Sequence, residues 1–229
     1  MPSDSFDDYL KAIYDLSSRS PDDEASVSGL ARRMGVAPAS VSGMVRRLGA
    51  ARPPLVAYRR YRGIRLTAEG TQRALRMLRT HRLIETYLAE TFGVPWDALH
   101  GEAERLEHAV SDDLSERMAA ALGNPRRDPH GHPIPDIDGL PAGPPAWPLS
   151  ESPPGQVVTV QQVPDQDAEM LRGLAALGLR PGARVAVDAR EPGQGGVAVR
   201  IGTHQLEIVP LAAASTVLVS HADQEGPND

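Results

Sequence analysis

Residues 28–50 read SGLARRMGVAPASVSGMVRRLGA, and this stretch decides the N-terminal fold. SGLARRM has the spacing of a short helix, with Ser28 available as its cap. Gly35 permits a sharp turn, and Pro38 suits the first turn of the helix that follows, ASVSGMVRRLGA. Two short helices joined by a glycine-containing turn are the signature of a helix-turn-helix. Immediately downstream, LVAY and IRLT flank the arginine-rich RRYRG, which predicts a two-stranded hairpin, or wing. Upstream, Phe6, Tyr9, Leu10, Ile13 and Tyr14 repeat as on one face of an amphipathic helix. Downstream, Thr67 is placed to cap a long helix running to about Phe92.

Charge placement supports a nucleic-acid surface. The 229-residue chain carries a net charge of −6, yet residues 1–80 hold 14 basic and 8 acidic side chains. From Arg32 to Arg79 there are twelve arginines and one acid, Glu69, while Lys11 is the single lysine of the chain. Phosphate binding depends on local field, so the basic block outweighs the acidic total. The absence of cysteine removes disulfides, thiolate metal sites and thiol nucleophiles. No apolar run approaches the roughly 20 residues that span a bilayer, so a cytoplasmic location away from membranes is expected.

Beyond Gly93 and Pro95, two further helices are expected, from about Trp96 to Val110 and from about Asp112 to Leu122. Residues 125–155 hold ten of the 21 prolines and predict an extended linker. Short β-like segments follow: VVTVQQV, ARVAVDAR, VAVRI and LEIV, with one helical insertion near Asp167 to Leu177, together predicting a small barrel. GQGG near Gly193 lacks the context of a phosphate loop and reads as a hairpin turn.

The second of the middle helices carries the chemistry. If it is regular, His100, Glu104, Glu107 and His108 project into one arc about 100° wide beside an apolar stripe. On the helix before it, His81 and Glu85 are four residues apart. Three histidines, each with a carboxylate one turn away on consecutive helices, point to a metal site rather than to a solvated acidic face. His130 and His132, in RDPHGHPIP, could bind metal, but the reading preferred for them is a proline-locked turn. A di-metal carboxylate enzyme would need two Glu-x-x-His motifs, whereas the spacing here is Glu104-x-x-x-His108. A metal-buffering protein would leave the basic helix-turn-helix without a purpose. Leu99, Leu106, Val110, Leu114 and Met118 give the two helices more apolar surface than one hairpin buries, which predicts a C2 dimer.

These motifs together — DDYLKAIYDL, APASVSGMVRRL, YRRYRGIRLTAEG, HRLIETYL and HGEAERLEHAVSDDL — resemble the diphtheria-toxin-repressor family of iron- and manganese-responsive transcriptional regulators. HGHPIP is similar to that family's turn after the helices, and LGLRPGARVAV to the SH3-like domain of its longer members. The resemblance implies an α+β chain with a winged helix-turn-helix DNA-binding domain (1–72), a helical metal-binding and dimerisation domain (73–142), a proline-rich linker (143–154) and an SH3-like small β-barrel (155–221). It implies a primary metal site of Asp8, Glu104, Glu107 and His108. An ancillary site would comprise His81, Glu85 and His100, with Asp167 as the positional match for a ligand from the SH3-like domain and Met170 standing where a glutamine is expected.

Iron-type members carry Met and Cys where this chain has Asp8 and Glu104. Short manganese-type members carry the same carboxylates, but a glutamate where Lys11 stands. Mn2+ is therefore the expected effector, with Fe2+ next and other divalent ions binding in vitro. The implied function is not enzymatic: a metal-activated homodimer that binds a palindromic operator on double-stranded DNA and represses metal-uptake genes. Pro38, Ala39, Ser40, Ser42 and Gly43 would face the major groove, and Arg59, Arg60 and Arg62 of the wing the backbone or minor groove.

Overall fold

The computed structural model describes residues 2–18, 20–59, 63–136, 139–141, 143–191, 195–202 and 206–222. The chain divides into two compact units: Met1–His81 with Glu107–Ala109 and Pro135–Leu140, and Arg82–Leu106 with Val110–Ile134 and Pro141–Asp229.

The first unit contains α1 (Pro2–Ser17), α2 (Val27–Met34), α3 (Pro38–Gly49), β1 (Val56–Arg59), β2 (Gly63–Leu66) and the start of α4 (Ala68–Phe92). Tyr9, Leu10 and Ile13 of α1 pack with Leu30 of α2, with Val41, Val45 and Leu48 of α3, and with Val56 and Ile64 of the hairpin. The cap of α2 is Ser26, not Ser28: its Oγ accepts the Gly29 amide, and helical geometry begins at Val27. Gly35 holds φ at 64°, so its amide can return to the Ala31 and Arg32 carbonyls and turn the chain towards Pro38, the first residue of α3. β1 and β2 pair antiparallel, Val56 to Leu66 and Arg59 to Gly63. Arg60 and Arg62 lie outside the described residues.

Thr67 caps α4 by accepting the Gly70 amide at 3.1 Å while its hydroxyl donates to the Pro54 carbonyl at 2.7 Å. The helix start lies so near the wing that a Cβ on Gly70 would stand 1.9 Å from the Leu55 oxygen. Arg73 of α4 donates from Nε and Nη2 to both carboxylate oxygens of Asp7 at 2.5 and 3.1 Å, fastening α1 to α4.

The second unit holds the rest of α4, α5 (Leu99–Leu106), α6 (Asp112–Ala121) and an antiparallel six-stranded sheet in the order β3-β8-β4-β5-β6-β7. The strands are β3 (Trp147–Pro148), β4 (Val157–Gln162), β5 (Arg184–Glu191), β6 (Gly196–Ile201), β7 (Glu207–Pro210) and β8 (Leu218–His221), with α7 (Ala168–Ala176) and α8 (Leu211–Ala214) between them. Val158, Val160, Val185, Val187, Val197 and Val199 bury one face of the sheet against Leu171 and Leu174 of α7. Breaks in register within β4 and β5 supply the curvature of an SH3-like domain. The tip of the β5–β6 hairpin, residues 192–194 near Gly193, lies outside the described residues.

Two further expectations change here. α5 ends at Leu106, four residues early, because Glu107–Val110 form a turn that delivers Ser111 in extended geometry to cap α6. The proline-rich stretch is also not simply extended. Residues 126–134 form a packed turn, and residues 147–151 join the sheet domain, with Leu149 fully buried. Proline lacks a donor but keeps its carbonyl. Pro129 accepts from Trp96 Nε1 at 3.1 Å, and Pro133 from Arg82 Nη1 at 2.5 Å.

Candidate metal centres and nucleic-acid interface

In the first unit, Asp8 on α1 meets Glu107 and His108, which follow α5. His108 Nε2 is 2.8 Å from Asp8 Oδ1 and 3.7 Å from Glu107 Oε1, and the three ligand atoms lie within 4.8 Å of one another. Glu107 is buried, and His81 Nδ1 lies 2.6 Å from its Oε2. Lys11 Nζ donates to both its oxygens, at 2.6 and 2.7 Å. Burial alone would raise the Glu107 carboxyl, but His81 and Lys11 outweigh it and hold the group ionised below the usual range. Asp8 goes the other way: burial raises its carboxyl, partly offset by His108 and Lys11. Glu104, implied with this group, is exposed, with Oε1 3.3 Å from His100 Nε2.

In the second unit a larger cluster forms around Glu85 on α4, which is fully buried. His100 Nδ1 of α5 stands 3.6 Å from Glu85 Oε1, and His130 Nδ1 3.8 Å from the same atom. Asp165, just after β4, places Oδ2 3.8 Å from both His100 Nδ1 and His132 Nδ1, while His132 Nδ1 is 3.3 Å from Asp128 Oδ2. The turn is rigid: Asp128 Oδ1 accepts the His130 and His132 amides at 2.9 Å each, and the His130 ring stacks on Trp96. Gly131 has φ of 88°, and a Cβ there would meet the Gln161 carbonyl oxygen at 2.0 Å, so the turn is pressed against β4. The His130 carbonyl accepts the Val163 amide at 3.0 Å.

This cluster fits a divalent cation. His130 Nε2 lies 3.0 Å from the Trp96 carbonyl, which can only accept; Nε2 therefore carries a proton, and Nδ1 is left to face Glu85. His130 Nδ1, His132 Nδ1 and Asp128 Oδ2 are buried and make no hydrogen bond. Lone pairs facing carboxylates in a buried site require a cation between them. Without a metal that cation is the proton. Burial lowers His100, but Glu104, Glu85 and Asp165 override it and push it up to about 10. His132 is likewise lowered by burial and carried up to about 9 by Asp128 and Asp165. A metal ion entering such a site displaces those protons.

Asp167 does not face the cluster's histidines. Its carboxylate caps α7, accepting the Glu169 and Met170 amides at 3.0 Å each, and the acidic group of the SH3-like domain that does face them is Asp165. Asp165 and Asp128 escaped the sequence reading, which placed His130 and His132 in a turn. The available signal was the alternation Asp128-x-His130-x-His132, masked by its three prolines.

On α3, Pro38, Ala39, Ser40 and Ser42 are exposed and Gly43 half-exposed, opposite the buried Val41, Val45 and Leu48. Arg46 and Arg47 continue the exposed face, with Arg47 lying 5.1 Å over the Phe6 ring. Arg59 is exposed at the end of β1. Of the apolar residues expected at a dimer contact, Leu99 is buried within its own chain, whereas Leu106 and Leu114 are 40% and 46% exposed.

A winged helix-turn-helix in one chain with imidazole–carboxylate clusters defines a metal-responsive DNA-binding regulator. Residues 1–64 match the family described as iron dependent repressor, N-terminal DNA binding domain; residues 67–136 match its metal binding and dimerisation domain, and residues 147–221 the FeoA domain. The chain is 34% identical to the iron-dependent repressor IdeR of Mycobacterium tuberculosis over 225 residues, covering 92% of this chain and 94% of that protein. It belongs to the diphtheria-toxin-repressor family of metal-dependent transcriptional repressors, which are not enzymes. Among solved structures, a manganese-dependent transcriptional repressor in complex with manganese superposes with a TM-score of 0.86 at 38% identity, covering 95% of this chain and 100% of that one. The manganese regulator SloR superposes at 0.77 and 31% identity, covering 95% and 98%. Among the described residues, no helix is long and apolar enough to cross a membrane.

Proposed function

We propose that this chain is a manganese-activated homodimeric repressor of metal-uptake genes that binds a palindromic operator. The observation that carries the reading is the meeting of Asp8, on the helix that packs against the helix-turn-helix, with Glu107 and His108, within 4.8 Å. A cation held there ties the DNA-binding helices to residues 107 and 108. Metal affinity and DNA affinity are then coupled in both directions. Asp8 and Glu107 are hard oxygen donors and His108 supplies one nitrogen, a set suited to Mn2+, with Fe2+ next. The manganese-dependent relatives favour the same ion. Glu85, either with His100 and Asp165 or with Asp128 and His130, would hold the ancillary ion, the role the resemblance gave to His81, Glu85, His100 and Asp167.

In a dimer, two copies of α3 would enter successive major grooves about 34 Å apart. Small residues at positions 39, 40, 42 and 43 leave specificity to thymine-methyl contacts and DNA shape. The test is a gel shift on promoter fragments with and without Mn2+, using wild type and Asp8→Ala. Wild type should shift the fragment only with Mn2+, and the variant should lose that dependence. A shift of equal strength with and without the metal would overturn the proposal.

A further inference from the structure

Lys11, the chain's single lysine, sits in the middle of the primary cluster. Its side chain is 11% exposed and that of Glu107 is 2% exposed. The ammonium is 2.6 and 2.7 Å from the two Glu107 oxygens and 3.5 Å from His81 Nδ1. Two carboxylate oxygens thus hold a positive charge much as they would hold a metal ion, while His81 Nδ1 shares Oε2 at 2.6 Å. Glu107 is at the same time the shared member of the adjoining group with Asp8 and His108. One buried carboxylate therefore faces two cation positions, and one of them holds a charge tethered to α1.

We propose that the Lys11 ammonium fills the second cation position of the Glu107 cluster, limiting the cluster to one divalent ion and weakening that ion's binding. The inference rests on the assignment of Asp8, Glu107 and His108 to a metal. Two divalent ions sharing a carboxylate stand about 3.5–4 Å apart. A second ion would have to expel an ammonium that already engages both Glu107 oxygens and cannot diffuse away. The ion at Asp8 and His108 also meets a fixed like charge across Glu107, which disfavours it by about tenfold or more. The same contact joins α1 to Glu107 before any metal arrives, so it organises the cluster while restraining its affinity.

The experiment counts Mn2+ per chain by calorimetry and follows Mn2+ pairing by electron paramagnetic resonance. It uses full-length wild type, Asp8→Ala, Lys11→Glu, Lys11→Gln and Lys11→Arg, each checked for folding by circular dichroism. Lys11→Glu should bind one more Mn2+ per chain than wild type and show the broadened signal of a coupled pair. Lys11→Gln should tighten the existing ion by about tenfold or more, and Lys11→Arg should keep the wild-type count. Folded glutamate and glutamine variants with wild-type count and affinity would overturn the proposal. Should Lys11→Glu not fold, the Lys11→Gln affinity decides alone. If Asp8→Ala binds as many ions as wild type, the underlying metal assignment fails and this inference falls with it.

Discussion

Two aspartates separated by one residue have opposite jobs in this chain. Asp167 spends its carboxylate on two amides at the start of α7, whereas Asp165 turns towards His100 and His132. Asp167→Ala should therefore cost about 1 kcal/mol of stability, the usual loss of a helix cap, with Mn2+ stoichiometry unchanged. Asp165→Ala should reduce the number of ions bound. Melting curves and metal counts on the two variants separate the roles, and a loss of metal from Asp167→Ala would refute the division. Gly131 makes a sharper case. Its positive φ and the Gln161 oxygen 2.0 Å from a would-be Cβ leave no room for a methyl group on rigid backbone. Gly131→Ala should destabilise the protein by about 2 kcal/mol or more and lower ancillary metal affinity, because His130 and His132 flank it.

At the scale of elements, the wing sets a test of the DNA surface. Arg59→Ala should weaken binding to all sequences alike and reduce the slope of log affinity against log salt by about one, since a lost phosphate contact carries no base information. A variant that changes sequence preference while keeping its salt slope would move Arg59 from backbone to base contact. α1, α3, α4 and α6 were legible in the sequence because each combines strong apolar spacing with a cap or a proline at its start. The end of α5 was not: Glu107 and His108 fit the helical arc, and nothing local shows that Lys11 and His81, distant in sequence, hold Glu107 in a turn. The 126–134 turn was hidden for a related reason. Proline density predicts extended chain when carbonyl acceptors are ignored, and here Trp96 and Arg82 use them. Hydrophobic periodicity reports which face is buried, but not which charged group lies opposite.

For the whole molecule, the question is which cluster governs DNA binding. Asp8 belongs to α1, and α1 shares one hydrophobic core with α2, α3 and the wing, so an ion at Asp8, Glu107 and His108 acts on the body that carries the recognition helix. The Glu85 cluster lies in the other unit, where its side chains join α4, α5, the 126–134 turn and the SH3-like domain. Coupling free energies between sites run to about 1–3 kcal/mol, or roughly 5- to 150-fold in affinity. That whole factor should disappear in Asp8→Ala. In Asp165→Ala most of it should survive, while the melting temperature gained on adding Mn2+ falls, because a ligand that binds only the folded state stabilises it in proportion to its occupancy. Operator affinity measured across a Mn2+ titration in both variants, alongside the metal-induced shift in melting, reads the two effects separately. If Asp165→Ala abolishes the Mn2+ dependence and Asp8→Ala spares it, control of DNA binding belongs to the Glu85 cluster instead.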